Sequence, residues 1–141
     1  MRTNSGKVEL LAPAGNMEKL EIAIHYGADA VYLGGKDFSL RNFSGNFSLD
    51  EIAEAVKTAH RQNVRVYVAC NIYSRSSEEQ AIARYLDALG RIGPDALIIA
   101  DPGIVAMAGD RISHIPIHLS TQANTTSIGA CRFWERQGVS R

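Results

Sequence analysis

A chain of 141 residues, 45% hydrophobic and 7% aromatic, holds enough apolar material for one domain with a sizeable core, which excludes a disordered segment. Lysine plus arginine and aspartate plus glutamate both number 15, so the formal net charge is zero and no overall field draws the chain to nucleic acid or an anionic membrane. Any RNA contact must be local or lie outside this segment.

Met1 to Lys7 lacks the apolar core of a signal peptide, and no later run approaches the roughly 18 apolar residues of a membrane span. The expectation is a soluble protein. Apolar runs then recur along the chain at Val8-Glu9-Leu10-Leu11-Ala12, Ala30-Val31-Tyr32-Leu33, Val64 to Ala69, Ala96-Leu97-Ile98-Ile99-Ala100 and Ile115 to Leu119, five candidate strands. Between them Met17, Leu20 and Ile24, then Ile52, Val56 and Ala59, then Ile82, Tyr85, Leu86 and Leu89 recur at three- and four-residue spacing, each set an apolar helix stripe.

Helix starts are predicted at Ser48 with Glu51 and at Ser76 with Glu79, pairs able to satisfy orphan N–H groups reciprocally. Helix stops are predicted at Gly27, Asn63, Gly93 and Gly138, types that tolerate the left-handed conformation. Gly27-Ala28-Asp29-Ala30 returns as Gly93-Pro94-Asp95-Ala96, a weak internal repeat of the strand–helix unit. The segment from Gly34 to Phe47 reads as a long strand-to-helix loop and Asp101-Pro102-Gly103 as a sharp turn, both at the carboxyl ends of parallel strands, where sites form.

An open doubly wound sheet and a closed barrel both bury parallel strands, so periodicity does not separate them. The first strand runs into Pro13-Ala14-Gly15-Asn16 and not into a Gly-x-Gly-x-x-Gly turn, which disfavours a dinucleotide-binding domain. Phe133 to Gly138 finishes a helix, and Val139-Ser140-Arg141 resembles the start of another strand. A complete barrel needs about 250 residues. The expected fold is therefore α/β: an incomplete parallel (β/α) barrel of TIM type with about five strands, residues 1–141 being the N-terminal part of a single barrel domain whose remainder lies beyond.

Five phrases, taken in order, carry a family resemblance: Glu9 to Gly15, Gly27 to Gly35, Phe38-Ser39-Leu40-Arg41, Asp101-Pro102-Gly103, and Pro116 to Asn124. Together they resemble the N-terminal half of peptidase family U32, over nearly the whole chain. The resemblance implies a collagenase-like peptidase by name, but also RNA- and quinone-modifying branches: prephenate-dependent hydroxylation of wobble uridine in tRNA, hydroxylation of a ribosomal RNA cytidine, and ubiquinone hydroxylation. Gly93 to Ile98 and Phe133-Trp134 look most like the tRNA branch. The family's cysteine-rich signature, which holds a four-iron four-sulfur cluster in several members, has no counterpart here. No cofactor is expected within this segment, and an iron–sulfur cluster is expected only in a longer parent.

Candidate site residues follow from strand-end position. Asn71 and Asp101 are placed to bind a polar substrate or move a proton, though Asp101 equally suits hydrogen bonding within its own turn and Asn71 anchoring of its loop. Arg41 offers a planar fork of donors to a carboxylate or phosphate, or makes a plain loop salt bridge. Ser120, Gln122 and Asn124 offer hydroxyl and amide groups for a base edge or polar metabolite, with capping as the ordinary role of Ser120 and Asn124. A Ser-His-Asp triad from Ser120, His118 and Asp101 is disfavoured, because residues two apart on a strand stand about 6.5 Å apart. Cys70 and Cys131 lie far apart, in no close metal-type spacing, and read as buried thiols, Cys131 on the sheet-packed face of its helix. No metal site, a reducing cytoplasmic setting and no membrane contact are expected.

Three functions remain open at this point. The first is an RNA-modifying parent whose barrel mouth is lined by Arg41, Asn71, Asp101 and Gln122 and meets tRNA or a small metabolite such as prephenate. The second is a peptidase. The third is a non-catalytic segment whose open edges self-associate or complete a partner's barrel.

Overall fold

The computed structural model describes residues 8–39 and 46–141. Five strands alternate with five helices: β1 (Leu11–Pro13), α1 (Met17–His25), β2 (Ala30–Gly34), α2 (Leu49–His60), β3 (Arg65–Cys70), α3 (Glu79–Ile92), β4 (Ala96–Ile99), α4 (Pro102–Arg111), β5 (Ile117–Leu119) and α5 (Ile128–Arg136). All four strand pairs are parallel and the order is β1-β2-β3-β4-β5, without the reversal that marks a doubly wound sheet. The sheet is an open arc of a (β/α) barrel. Val139 makes an isolated parallel bridge with Ile117, and the Ser140 N–H donates to the Ile117 carbonyl at 2.9 Å, so residues 139–141 run alongside β5.

Alternation along the strands divides the side chains between two faces. Val31, Leu33, Val66, Val68, Leu97, Ile99 and Ile117 join the helices in one large core, while Ala30, Tyr67 and Ala96, with Tyr32 and Ile98, form a small cluster on the other. Against the first face α2 buries Ile52, Ala55, Val56 and Ala59, and α3 buries Ile82, Tyr85, Leu86 and Leu89. Each fully enclosed Leu or Ile contributes about 1.5–3 kcal/mol by leaving water. The second face is the concave wall of the arc.

Most local signals stand where the sequence puts them. Ser48 and Glu51 form a reciprocal capping box, with the Glu51 N–H donating to Ser48 Oγ at 3.2 Å and the Ser48 N–H to Glu51 Oε2 at 2.7 Å. Gly27, Asn63, Gly93 and Gly138 all have positive φ, between 58° and 89°. The Ser76 and Glu79 pair does not cap. A 3-10 turn, Ser76–Glu78, precedes α3, and the reach-back bond forms one residue earlier, from the Arg75 N–H to Glu78 Oε2 at 2.8 Å. The sharp turn at Asp101-Pro102-Gly103 is in fact the first turn of α4, with Pro102 in the opening position, where its missing N–H costs nothing.

The repeated Gly-x-Asp-Ala joint has a structural cause. The Asp29 N–H donates to the Leu10 carbonyl and the Leu10 N–H donates to Asp29 Oδ2, both at 2.9 Å. Asp95 does the same with Val66, at 2.9 and 2.8 Å. Each aspartate therefore ties the start of its strand to the preceding one, fixing register at the bottom of the sheet.

Candidate functional site at the strand carboxyl ends

The interior row Ala69, Ile98, His118 continues two residues on to Asn71 and Ser120, because the period of a strand is two. Ala69, small beside Tyr32 and Ile98, leaves room. A cavity of about 410 Å³ opens there, with Tyr32, Ala69, Ile98 and Leu119 among its walls and Asn71, Ser120, Thr121 and Gln122 at its polar side. Among the described residues none that lines it is charged.

The loops around the cavity are joined by side-chain bonds. Asn71 Nδ2 donates to Gln122 Oε1 at 3.2 Å, the Ser120 hydroxyl donates to the same oxygen, and the Tyr73 hydroxyl donates to the Gln122 backbone carbonyl. Asp101 joins a further pair of loops: its Oδ1 accepts from the Ile104 N–H at 3.0 Å, capping α4, and its Oδ2 accepts from the Ser74 N–H at 3.1 Å. Loops after β3, β4 and β5 are thus held to one another.

Of the residues singled out in the sequence, Asn71, Ser120 and Gln122 meet at this cavity. Asp101 stands beside them but spends both carboxylate oxygens on backbone N–H groups. Asn124 ends the 3-10 turn Thr121–Ala123 in the left-handed conformation and does not line the cavity, and α5 is capped instead by Ser127, whose Oγ accepts from the Ala130 N–H at 3.2 Å. Arg41 lies outside the described residues. Tyr32 and Tyr73 were not picked out from the sequence. The inward parity of Tyr32 was available from strand alternation, whereas the Tyr73 contact joins residues 49 apart and has no local signal.

At the opposite, amino end of the strands Glu9 gathers three partners: Arg65 Nη2 at 2.6 Å, Arg141 Nη1 at 2.7 Å and the Tyr67 hydroxyl at 2.8 Å. Burial alone would raise the Glu9 carboxyl, but the bonds from Arg141 and Tyr67 and the charge of Arg65 together hold it below its ordinary value. His118 packs edge-on against Tyr67 at 4.7 Å, and burial, aided by the Arg141 charge, pushes its pKa down to about 4. Its ring is neutral at pH 7. With the Ser120 hydroxyl given to Gln122 and Asp101 capping α4, these three residues do not form a nucleophile relay.

The thiols differ from expectation in one respect. Cys70 is fully buried, and desolvation, with the nearby Asp101 charge, pushes its pKa up to about 12. Cys131 is exposed, because α5 turns Trp134, and not Cys131, into the core. Among the described residues no three His, Cys, Asp or Glu side chains converge on a metal position. The two cysteines, on different elements and in opposite environments, do not fit an iron–sulfur cluster. Among the described residues no helix is long and apolar enough to cross a membrane.

Comparison with known proteins adds family evidence. Residues 15–141 match the model of peptidase family U32. The chain is 41% identical over 140 residues to tRNA hydroxylation protein P1 of Bacillus subtilis, covering 99% of this chain and 33% of that protein. It is 45% identical over 136 residues to tRNA hydroxylation protein P of Helicobacter pylori, covering 96% and 32%. The chain thus spans about a third of the length of these curated relatives. The solved structure of the U32 peptidase Mk0906 superposes with a TM-score of 0.76 at 14% identity, over 99% of this chain and 59% of that one, a likeness of fold.

Proposed function

The chain belongs to peptidase family U32, and on that premise we propose that it forms one wall of the strand-end site of a longer protein that hydroxylates a uridine of tRNA. The observation that carries this reading is the cavity with Asn71, Ser120 and Gln122 on its polar side and no charged group among the described residues that line it. A nucleobase is flat, neutral and edged with both donors and acceptors, so amides and a hydroxyl over an apolar floor suit it. Relatives that match over 96–99% of this chain are tRNA hydroxylation proteins.

With no net charge here, the phosphate backbone is held mainly by other parts of the longer protein. Arg41 is the cation this reading assigns to a phosphate or to the carboxylates of prephenate. An iron–sulfur cluster, if the longer protein carries one, takes its ligands from outside the described residues, and the roles given to Asn71, Ser120 and Gln122 do not depend on it. A cytoplasmic setting, where tRNA is found, belongs to the same reading.

The test is complementation. In cells lacking the native protein, the full-length protein restores hydroxylated uridine in tRNA digests, read by mass spectrometry, and Asn71→Ala with Arg41→Ala abolishes it. Undiminished hydroxylation by the double variant would overturn the assignment.

A second reading rests on a different observation. A groove of about 400 Å³ lies between the β5 edge and α5, lined by Leu119, Ile128, Trp134 and Val139, with Ile128 72% exposed. In this reading the isolated chain associates with a second copy through that edge. Light scattering decides it, a monodisperse monomer excluding the association. For proteolysis the described residues bring no nucleophile and base together, and gelatin degradation abolished by one substitution would restore that reading.

A further inference from the structure

The orientation of the Gln122 side chain goes further than its position. A carboxamide oxygen has two lone pairs and its nitrogen two N–H donors. Here the oxygen is used twice, by Asn71 Nδ2 at 3.2 Å and by the Ser120 hydroxyl, itself on a residue only 6% exposed. Turning Gln122 over by itself would set its NH2 group against the NH2 group of Asn71, donor facing donor. The backbone of Gln122 is held too, through its carbonyl and the Tyr73 hydroxyl. What remains is the amide NH2, on an exposed residue at the edge of the cavity.

We propose that Gln122 is a specificity-determining donor whose NH2 group hydrogen-bonds a ring carbonyl of the base in the strand-end cavity, with Asn71 and Ser120 as positioning residues that fix which end of the amide faces in. The proposal rests on the reading of that cavity as a base site. Its chemical content is polarity: a carbonyl is accepted at this point, and a group that can only donate is refused. Such a site penalises the wrong polarity, because a donor set against a donor leaves both without an acceptor.

Two substitutions in the full-length protein separate this from a merely structural latch. Gln122→Glu keeps an oxygen for Asn71 and Ser120 but replaces the NH2 donor by an acceptor. Asn71→Asp replaces the donor to Gln122 by an acceptor, draws the Gln122 NH2 toward itself and turns the Gln122 oxygen to the cavity. A latch tolerates both, since the bond between positions 71 and 122 can be kept or reversed. The donor role predicts that each lowers hydroxylated uridine in cells by at least about tenfold, with the thermal midpoint unchanged in at least one of them.

Binding supplies the second readout. The probe is an anticodon stem-loop RNA with uridine at the wobble position, compared with the same RNA made abasic there. Wild-type protein should prefer the uridine form several-fold, and both variants should lose that preference while binding the abasic RNA as before. Wild-type activity with undiminished activity in both variants would overturn the donor role while leaving the tRNA reading intact. Failure of the wild-type protein to restore hydroxylation would instead overturn the tRNA reading and the donor role with it.

Discussion

Asp95, just before β4, and Val66 of β3, 29 residues apart, exchange two hydrogen bonds: the Asp95 N–H donates to the Val66 carbonyl at 2.9 Å, and the Val66 N–H donates to Asp95 Oδ2 at 2.8 Å. His60 Nε2 lies 2.8 Å from the same carboxylate oxygen. Asp29 and Leu10 repeat the exchange at the start of β1 and β2. Asp95→Ala leaves the Val66 N–H without its acceptor and should cost about 1–3 kcal/mol, while Asp95→Asn, which keeps an acceptor oxygen, should cost less. Urea unfolding of the two variants checks the order. Equal losses would place the effect in charge and not in the strand-to-strand bond.

His118 gives the fold a pH dependence with a definite sign. Its pKa falls from 6.5 to about 4 on folding, so the native ring is neutral and protonation favours the unfolded chain. The stabilisation is complete above pH 6.5 and is lost progressively as pH falls toward 4. Glu9 faces the same cluster and is lowered from 4.5, so its contribution is lost only below that value. His118→Phe, which keeps an aromatic edge for Tyr67, should flatten the melting temperature between pH 6.5 and 4.5 and leave the steeper fall below. An unchanged slope in that window would assign it to other groups.

The two thiols should differ in reactivity. Cys131 is exposed on α5, whereas Cys70 is enclosed at the end of β3 with its pKa pushed up to about 12. Iodoacetamide on the native protein should label Cys131 alone, and Cys70 should react only after denaturation. Peptide mapping distinguishes them, and native labelling of Cys70 would contradict its burial.

Gly35 and Tyr85 should couple. A Cβ added at Gly35 would stand 2.1 Å from the Tyr85 hydroxyl, which is buried without a hydrogen-bond partner among the described residues. Gly35→Ala should therefore destabilise by about 1–3 kcal/mol, an overpacking cost. Tyr85→Phe, which deletes an unsatisfied buried hydroxyl, should be neutral or stabilising and should recover part of the Gly35→Ala loss. Strict additivity in the double-mutant cycle would show that the two do not touch.

The sequence by itself determined what short-range physics controls. Apolar spacing placed all five strands and the stripes of α1, α2 and α3, and the left-handed tolerance of Gly27, Asn63, Gly93 and Gly138 placed the helix ends, because each depends on a few consecutive residues. Even there a one-residue 3-10 shift moved the expected cap from Ser76 to Arg75. The tertiary structure decided what depends on distant partners: the sequential strand order, which separates a barrel arc from a doubly wound sheet, and the direction of the α5 face, which leaves Cys131 outside. It also decided which of the candidate residues meet. Asn71, Ser120 and Gln122 share a cavity because β3 and β5 flank β4 in register, and Asp101 caps and ties because α4 begins there. These relations cross 27 to 51 residues of chain, and only the assembled sheet brings them within a hydrogen bond.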